Sequence, residues 1–295
     1  MSALDLNAGG PWFPAPAKLN LFLHITGRRD DGYHLLQSAF ILLDWQDTLH
    51  FELRPDGVLS REDVADPVPA DDLVLRAARA LQEATGTREG AHITLDKRLP
   101  AQAGLGGGSS DAASCLLALN RLWRTGLSSP ELERVGLALG ADLPFFLRGR
   151  NAWVEGIGEE ITPIEVPSSR FLVVKPPQGL DTSTIFRDPA LKRDSRAAII
   201  SGFAANPLQF GRNDLQPVAQ RLCPQVGEAL EWLALQGLPG RMTGSGSAVF
   251  APLAPGKPVA AVPPSWKGWR VRECSKMDVH PLAGWASSDS SSVGR

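Results

Sequence analysis

Cysteine, methionine and tyrosine are scarce: the chain has three of the first, three of the second and one of the third in 295 residues. Cys115, Cys223 and Cys274 stand far apart, and no two have the spacing of a metal-binding pair. So sparse and odd a count excludes a disulfide framework and suits a reducing cytosol, so a cytoplasmic protein with no structural metal is expected. Neither sign of charge dominates. The net charge of −2 leaves no electrostatic footprint for nucleic acid or for an acidic membrane surface. No apolar run approaches the ~20 residues of a membrane helix. No basic residue precedes Lys18 and no apolar segment opens the chain, so no secretion signal is expected. Two common nucleotide motifs are also missing. No Gly-x-x-x-x-Gly-Lys-Ser/Thr occurs. Counted from Gly104, the last glycine position of Gly-x-Gly-x-x-Gly holds Ser109, which argues against a dinucleotide-dependent oxidoreductase.

Glycine, by contrast, is concentrated. In Pro100-Ala-Gln-Ala-Gly-Leu-Gly-Gly-Gly-Ser-Ser-Asp111, four glycines (Gly104, Gly106, Gly107, Gly108) fall within five residues and two hydroxyls follow. The preceding Ala91-His-Ile-Thr-Leu-Asp-Lys97 reads as a strand. After it, Cys115, Leu116, Leu119, Leu122 and Trp123 recur at helical spacing, with Gly126 as a stop. The helix is expected to begin near Ser110. A glycine loop that enters a helix lets backbone approach a ligand closely. The free N–H groups and positive dipole end of that helix favour an anion, most often phosphate.

Upstream, Ala15-Pro-Ala-Lys-Leu-Asn-Leu-Phe-Leu-His-Ile25 alternates as a strand. Leu19, Leu21, Leu23 and Ile25 fall on one face, and Lys18, Asn20, Phe22 and His24 on the other. A lysine beside an amide suits a phosphate and a hydroxyl together; taken alone, such a face equally suits a solvated edge. Asp31-Gly32 marks a turn, followed by Tyr33 and His34. An aromatic there is able to stack on a base or sugar. Asp71-Asp-Leu-Val-Leu-Arg-Ala-Ala-Arg-Ala-Leu81 reads as an amphipathic helix ending near Gly86. Ser129-Pro130 opens another, as serine cap and N-terminal proline, which ends at Gly140. Asp142 follows: either a cap for the next helix or a base for an alcohol. Asn151-Ala-Trp-Val-Glu-Gly-Ile-Gly158 and Phe171-Leu-Val-Val-Lys175 read as strands, Asn213-Asp-Leu215 opens a helical stretch through Trp232, and Trp269-Arg-Val-Arg-Glu-Cys274 is a final strand. Met242-Thr-Gly-Ser-Gly-Ser-Ala-Val-Phe250 is a second glycine-serine loop before an apolar strand; a hairpin turn would account for it locally.

Four stretches occur in order: Pro16-Ala-Lys-Leu-Asn20, Asp31-Gly-Tyr-His34, Leu105-Gly-Gly-Gly-Ser-Ser-Asp-Ala-Ala113 and Gly140-Ala-Asp-Leu-Pro144. From about Pro16 to residue 277 the chain thereby resembles the GHMP kinases. Within them it resembles the family that phosphorylates 4-(cytidine 5′-diphospho)-2-C-methyl-D-erythritol in the non-mevalonate route to isoprenoid precursors. Asp31-Gly-Tyr-His34 separates that family from homoserine and mevalonate kinases. The resemblance implies that ATP, with Mg²⁺, lies over Pro100, Ala101, Gln102, Ala103, Gly104, Leu105, Gly106, Gly107, Gly108, Ser109 and Ser110, with Asp72, Leu73 and Lys97 near adenine. It implies Lys18 and Asp142 as the catalytic pair. Asn20, Tyr33, His34, Thr182 and Phe186 would hold the cytidylated substrate, Tyr33 and Phe186 enclosing the base. Gly244 and Ser245, in a glycine loop packed near the phosphates, would also contact the substrate. Phe186 suits a core position as well, and Asp72 a plain helix start. The chain departs from the family pattern at Ala101-Gln102-Ala103, where more glycine is usual; a stiffer or altered loop is expected there, with ATP binding retained.

The expected fold class is α+β, a two-domain GHMP kinase fold with a deep cleft between an N-terminal ATP-binding domain (1–155, its first 13 or so residues loose) and a C-terminal domain (156–286). A serine-rich tail (287–295) reads as disordered. A small-molecule substrate, a monomer or weak homodimer, and no nucleic-acid or membrane partner are expected. The competing readings are another GHMP small-molecule kinase, of homoserine or mevalonate type, and a non-catalytic nucleotide-binding protein.

Overall fold

The computed structural model describes residues 10–65 and 67–288. The first half is built from β1 (Phe13–Arg28), β2 (His34–Arg54), β3 (Leu59–Asp63), α1 (Leu73–Thr85), β4 (Gly90–Asp96), α2 (Gly107–Leu122), α3 (Ser129–Leu139), α4 (Leu143–Arg148), β5 (Ala152–Glu155) and β6 (Glu160–Pro163). The second half follows with β7 (Arg170–Lys175), α5 (Thr182–Arg187), α6 (Ile200–Ala205), α7 (Gln216–Leu222), α8 (Pro224–Leu235), β8 (Arg241–Met242), β9 (Val249–Leu253) and β10 (Arg270–Met277). The sheet runs β3-β4-β2-β10-β7-β9-β8, with β1 and β5 also paired to β2 and β6 to β5. Only β3 and β4 run parallel; the other strand pairs are antiparallel. The two halves join where the end of β10 meets β2, Lys276 opposite Leu43 and Met277 opposite Leu42.

Three apolar clusters fill the molecule. Helices α1–α4 cover one face of β1, β2 and β4. Helices α7 and α8 cover β7 and β9. Between them lies a third cluster of Leu19, Leu21, Phe22, Ile41, Leu43, Trp153, Phe171, Val173 and Phe250. Strand β1 runs through all three. Its alternation does not hold as the sequence predicts, because the register slips between Asn20 and Leu23. The bulge turns Phe22 into the central cluster beside Leu19 and Leu21, and sends Leu23 and Ile25 into the second. The sequence reading places no strand between His34 and α1, yet β2 has 21 residues. Its middle, Ser38 to Leu43, is buried throughout because both faces of the sheet are covered there. A strand covered on two sides shows a solid apolar run instead of alternation.

Helix boundaries follow local chemistry. Asp72 caps α1 by accepting from the Leu75 N–H, and Gly86 closes it in the left-handed region. The cap of α3 is Ser128, one residue before the predicted Ser129, in a capping box with Glu131. The stretch predicted as helical from Asn213 through Trp232 is two helices, α7 and α8, broken at Cys223 ahead of Pro224. Of the start predicted loose, residues 1–9 lie outside the described residues. Beyond them Pro11 accepts from the His50 ring and Phe13 is buried as the first residue of β1. The predicted break at 155 falls in the β5–β6 hairpin. Leu282, Trp285 and Ala286, after β10, pack into the first cluster. Of the predicted tail, 289–295 lie outside the described residues, and the Ser287 carbonyl accepts from the Ser129 N–H.

Candidate active site

The glycine loop is fixed from two sides. Lys18 donates its backbone N–H to the Leu105 carbonyl, which ties the loop to β1. Gln102 and Ala103 accept from the Ser247 and Ala248 N–H groups, which ties it to the second glycine loop. Gly104 has φ +73°, and a Cβ there would sit 2.1 Å from the Thr243 carbonyl oxygen. Gly106 has φ +71° and caps α2; a Cβ on it would press on Phe146 and on the Lys18 stem. The two loops thus meet backbone to backbone, which only glycine allows. Helix α2 begins at Gly107, three residues before the predicted start. No side chain caps it, so its first N–H groups remain free for a ligand. The Ser110 hydroxyl goes instead to the Pro16 carbonyl, 2.7 Å away, and Ser110 is fully buried.

Gln102 has φ +50°, a left-handed conformation in a residue with a side chain. Within Ala101-Gln102-Ala103, where the resemblance leads one to expect more glycine, Gln102 thus keeps a glycine-like backbone, at a cost.

Lys18 is 4% exposed. Its ammonium donates to Asn20 Oδ1 at 2.5 Å, lies over the Phe40 ring at 4.5 Å and stands 3.6 Å from Asp142 Oδ2. Burial pulls the Lys18 pKa below that of an ordinary lysine, and the Asp142 carboxylate partly opposes this. Asp142 sits at the start of α4 but caps nothing; no backbone N–H of that helix donates to its side chain. The cap reading of this aspartate thus falls away, and its carboxylate is a third exposed toward the cleft. Asn20 donates onward to Ser38 Oγ at 2.9 Å, and its own N–H goes to Thr243 Oγ1 at 2.9 Å.

Lys97 is held differently. Its ammonium lies 2.5 Å from Asp47 and 2.7 Å from Asp111, both carboxylates being buried. Burial alone would lower the Lys97 pKa, but the two carboxylates together raise it. Asp111 is pushed well up by burial and by the neighbouring Asp47, against the pull of Lys97. Asp72 is likewise engaged, with Arg61 and with the Leu75 N–H. Lys97 and Asp72 line the cleft as the sequence predicts, while their charges are met inside the protein.

One cleft of about 770 Å³ gathers most of the predicted residues. Lys18, Asn20, Asp72, Leu73, Lys97, the loop from Pro100 to Ser109, Asp142, Thr182, Phe186, Gly244 and Ser245 all line it. Thr182 and Ser245 share a hydrogen bond of 2.7 Å across it. Tyr33, His34 and Ser110 do not line it. Tyr33 is 60% exposed on the turn after β1. His34 lies against Phe186, the ring centroids 5.0 Å apart and the planes tilted by 36°. Leu215, in the Asn213-Asp-Leu215 stretch, also lines the cleft; sequence reading missed Phe40, which lines it too, and Thr243, which bonds Asn20. It also missed Arg193, whose Nε donates to His34 Nε2 at 2.9 Å. Thr243 lies inside the quoted second loop; Phe40 and Arg193 carry no local signal.

The sequence pattern of the GHMP kinases N terminal domain matches residues 72–150, and that of the GHMP kinases C terminal domain matches 195–267. A 4-diphosphocytidyl-2-C-methyl-D-erythritol kinase of Albidiferax ferrireducens is 67% identical over 95% of this chain and 96% of its own. The chain belongs to the GHMP kinases, in the 4-diphosphocytidyl-2-C-methyl-D-erythritol kinase branch. An enzyme of that name from Paracidovorax citrulli is 65% identical over 94% of this chain and 97% of its own. Among solved structures, a 4-(cytidine 5′-diphospho)-2C-methyl-D-erythritol kinase superposes with a TM-score of 0.75 at 33% identity, covering 90% of this chain and 99% of that one. The homoserine kinase of Cytophaga hutchinsonii has the same fold, with a TM-score of 0.68 at 15% identity over 94% of this chain and 98% of that one. The expected fold class holds: an α+β GHMP kinase with N- and C-terminal domains. As a GHMP kinase the chain is an ATP-dependent phosphotransferase acting on a small molecule. Among the described residues no helix is long and apolar enough to cross a membrane.

Proposed function

We infer that this enzyme transfers the γ-phosphoryl group of ATP to the 2-hydroxyl of 4-(cytidine 5′-diphospho)-2-C-methyl-D-erythritol. The observation that carries the chemistry is the Lys18–Asp142 pair, 3.6 Å apart at the mouth of the glycine loop. ATP supplies the phosphoryl group. The free N–H groups at the start of α2 and the loop from Pro100 to Ser109 bind its phosphates. Asp142, uncapped and facing the cleft, orients the acceptor hydroxyl and takes its proton. Lys18 holds positive charge where negative charge builds on the transferred group. Asn20, bonded to both Lys18 and Ser38, fixes the lysine's direction and offers its amide beside it. With a loose transition state the main contribution is positioning and electrostatics.

Mg²⁺ would neutralise phosphate charge in this site. The described residues hold no group of three acidic, histidine or cysteine ligands. Mg²⁺ is usually held by phosphate oxygens, water and one or two protein oxygens. Ser109, which lines the cleft in the first turn of α2, would be the residue to supply a protein oxygen. Tyr33, on the turn after β1, His34, at the start of β2, and Phe186, on α5, form the cytidine side. Tyr33, exposed on the turn after β1, would enclose the base with Phe186. Residues 1–155 and 156–286 remain the proposed ATP and substrate units, with β1 shared between them.

The test is ATP consumption by the purified enzyme with Mg²⁺ and 4-(cytidine 5′-diphospho)-2-C-methyl-D-erythritol, beside homoserine and mevalonate. Turnover with the cytidylated alcohol alone is expected. Turnover with either of the others in its place would remove the cytidine assignment.

A further inference from the structure

Arg193 lies outside the cleft, yet it makes four hydrogen bonds beside it. Its Nη2 donates to the carbonyls of Phe186 (3.0 Å) and Asp188 (2.8 Å), and its Nη1 to that of Leu191 (3.0 Å). Its Nε donates to His34 Nε2 at 2.9 Å. The first two bonds satisfy carbonyls at the end of α5, where a cation also suits the helix dipole. The fourth bond determines the state of the histidine. A guanidinium is always a donor and never loses its proton in the working range of an enzyme. Nε2 of His34 must therefore offer a lone pair, so the ring is neutral and its proton sits on Nδ1. Nδ1 has no protein partner among the described residues.

We propose that Arg193 is a positioning residue that locks His34 as the neutral Nδ1–H tautomer and fastens it to α5. His34 and Phe186, whose tilted rings lie 5.0 Å apart, then meet the substrate's pyrimidine as one preset unit. The ring offers one hydrogen-bond donor, which matches an acceptor on cytosine such as O2 or N3. One guanidinium joins two segments far apart in sequence, the start of β2 and the turn after α5. Burial and the two cations that face it, Arg193 and Arg28, also hold the His34 pKa below the usual histidine value. Both act in the same sense as the bond, toward the neutral ring. The consequence for catalysis rests on the cytidylated substrate proposed above; the state of the free enzyme does not.

The experiment has two arms for that reason. In the free enzyme, ¹⁵N NMR of the five histidines, with the His34 signals assigned by loss in His34→Gln, reads the tautomer directly. The intact enzyme is expected to show protonated Nδ1 and bare Nε2, and Arg193→Leu a mixture of tautomers. Protonated Nε2 in the intact enzyme, or an unchanged tautomer in the variant, overturns the proposal whatever the substrate. In steady-state kinetics, Arg193→Leu is expected to raise KM for the cytidylated substrate about tenfold, the size of one lost hydrogen bond to a bound ligand. KM for ATP and kcat should stay within about threefold, because Arg193 touches neither loop nor catalytic pair. The acid limb of kcat/KM should move up toward the ordinary histidine value of about 6.5. Arg193→Lys, a point donor without a fork, should recover only part of the loss. In a His34→Gln background Arg193→Leu should add little; full additivity, or equal rises in both KM values, would leave Arg193 a plain structural brace and overturn the positioning role.

Discussion

Lys18 and Lys97 line the same cleft, are both nearly buried, and both face carboxylates, yet their pKa values move in opposite directions. Lys97 is saturated: two buried carboxylates lie within 2.7 Å, and its charge is fully met inside the protein. Lys18 is undersaturated: its one carboxylate lies 3.6 Å off and is itself part-exposed, and its closest partner is a neutral amide. A cation whose charge is already matched adds rigidity. A cation held in a dry place with a loose counter-ion is ready for an incoming anion, which is what a phosphoryl group brings. Two lysines that look alike in sequence are thus a brace and a working group.

The sharpest way to break this contrast is Asp142→Asn. It removes the base and also the one group that raises the Lys18 pKa, so a rate loss of ~10²–10⁴ is expected with folding retained. Single-turnover phosphoryl transfer measures it; a folded variant near full rate would take the base role from Asp142. The sign of the pH dependence follows. Activity needs Lys18 charged, and burial lowers its pKa, so kcat/KM should begin to fall on the alkaline side below the ordinary lysine value. A limb at or above that value would mean that Lys18 is not the group titrating.

Lys97→Met should show the reverse profile, with stability lost first. It leaves Asp47 and Asp111 facing each other in the interior without a cation. Breaking such a buried pair costs about 3–5 kcal/mol. Urea unfolding of the variant beside the parent would show it. A midpoint unchanged within error would mean that Asp111, already pushed up by burial and by Asp47, takes a proton in compensation.

How far the sequence went divides along the same line. The glycine loop was legible because its spacing carries its chemistry; Lys18, Asn20, Asp142 and the second loop were singled out only through the resemblance to the GHMP kinases. What was not legible depends on contacts between distant segments. Strand β2 hid because burial on both faces removes alternation. The bulge after Asn20 turned Phe22 inward, where periodicity had placed it with Lys18. Nothing near Lys97 announces Asp47, 50 residues earlier and fully buried. Arg193 reaches His34 across 159 residues, and no local pattern marks it.

The two glycine loops extend the contrast to backbone. Gly104→Ala places a Cβ against the Thr243 carbonyl and holds a side-chain residue at φ +73°. A loss of about 2 kcal/mol or more is expected from the strained backbone and the clash together. KM for ATP should rise as the loop moves away from its partner. Denaturant unfolding and ATP kinetics check both; a stable variant with a raised KM would mean that the second loop yields instead of the first.

Two residues earlier the same loop offers the opposite change. Gln102 already occupies the left-handed region, at φ +50°, without being glycine. Gln102→Gly removes that strain but frees the unfolded chain and gives up the packing of the side chain on Gly179, where an added Cβ would lie 2.1 Å from Gln102 Oε1. The relief of a left-handed residue is worth about 1–2 kcal/mol, and the other two terms recover part of it. A net gain of about 0.5–1 kcal/mol in unfolding free energy is therefore expected, with KM for ATP nearly unchanged because the Gln102 carbonyl still accepts from Ser247. A loss of similar size would show that the contact with Gly179 outweighs the strain, and that the chain keeps glutamine here to join the phosphate loop to the segment before α5.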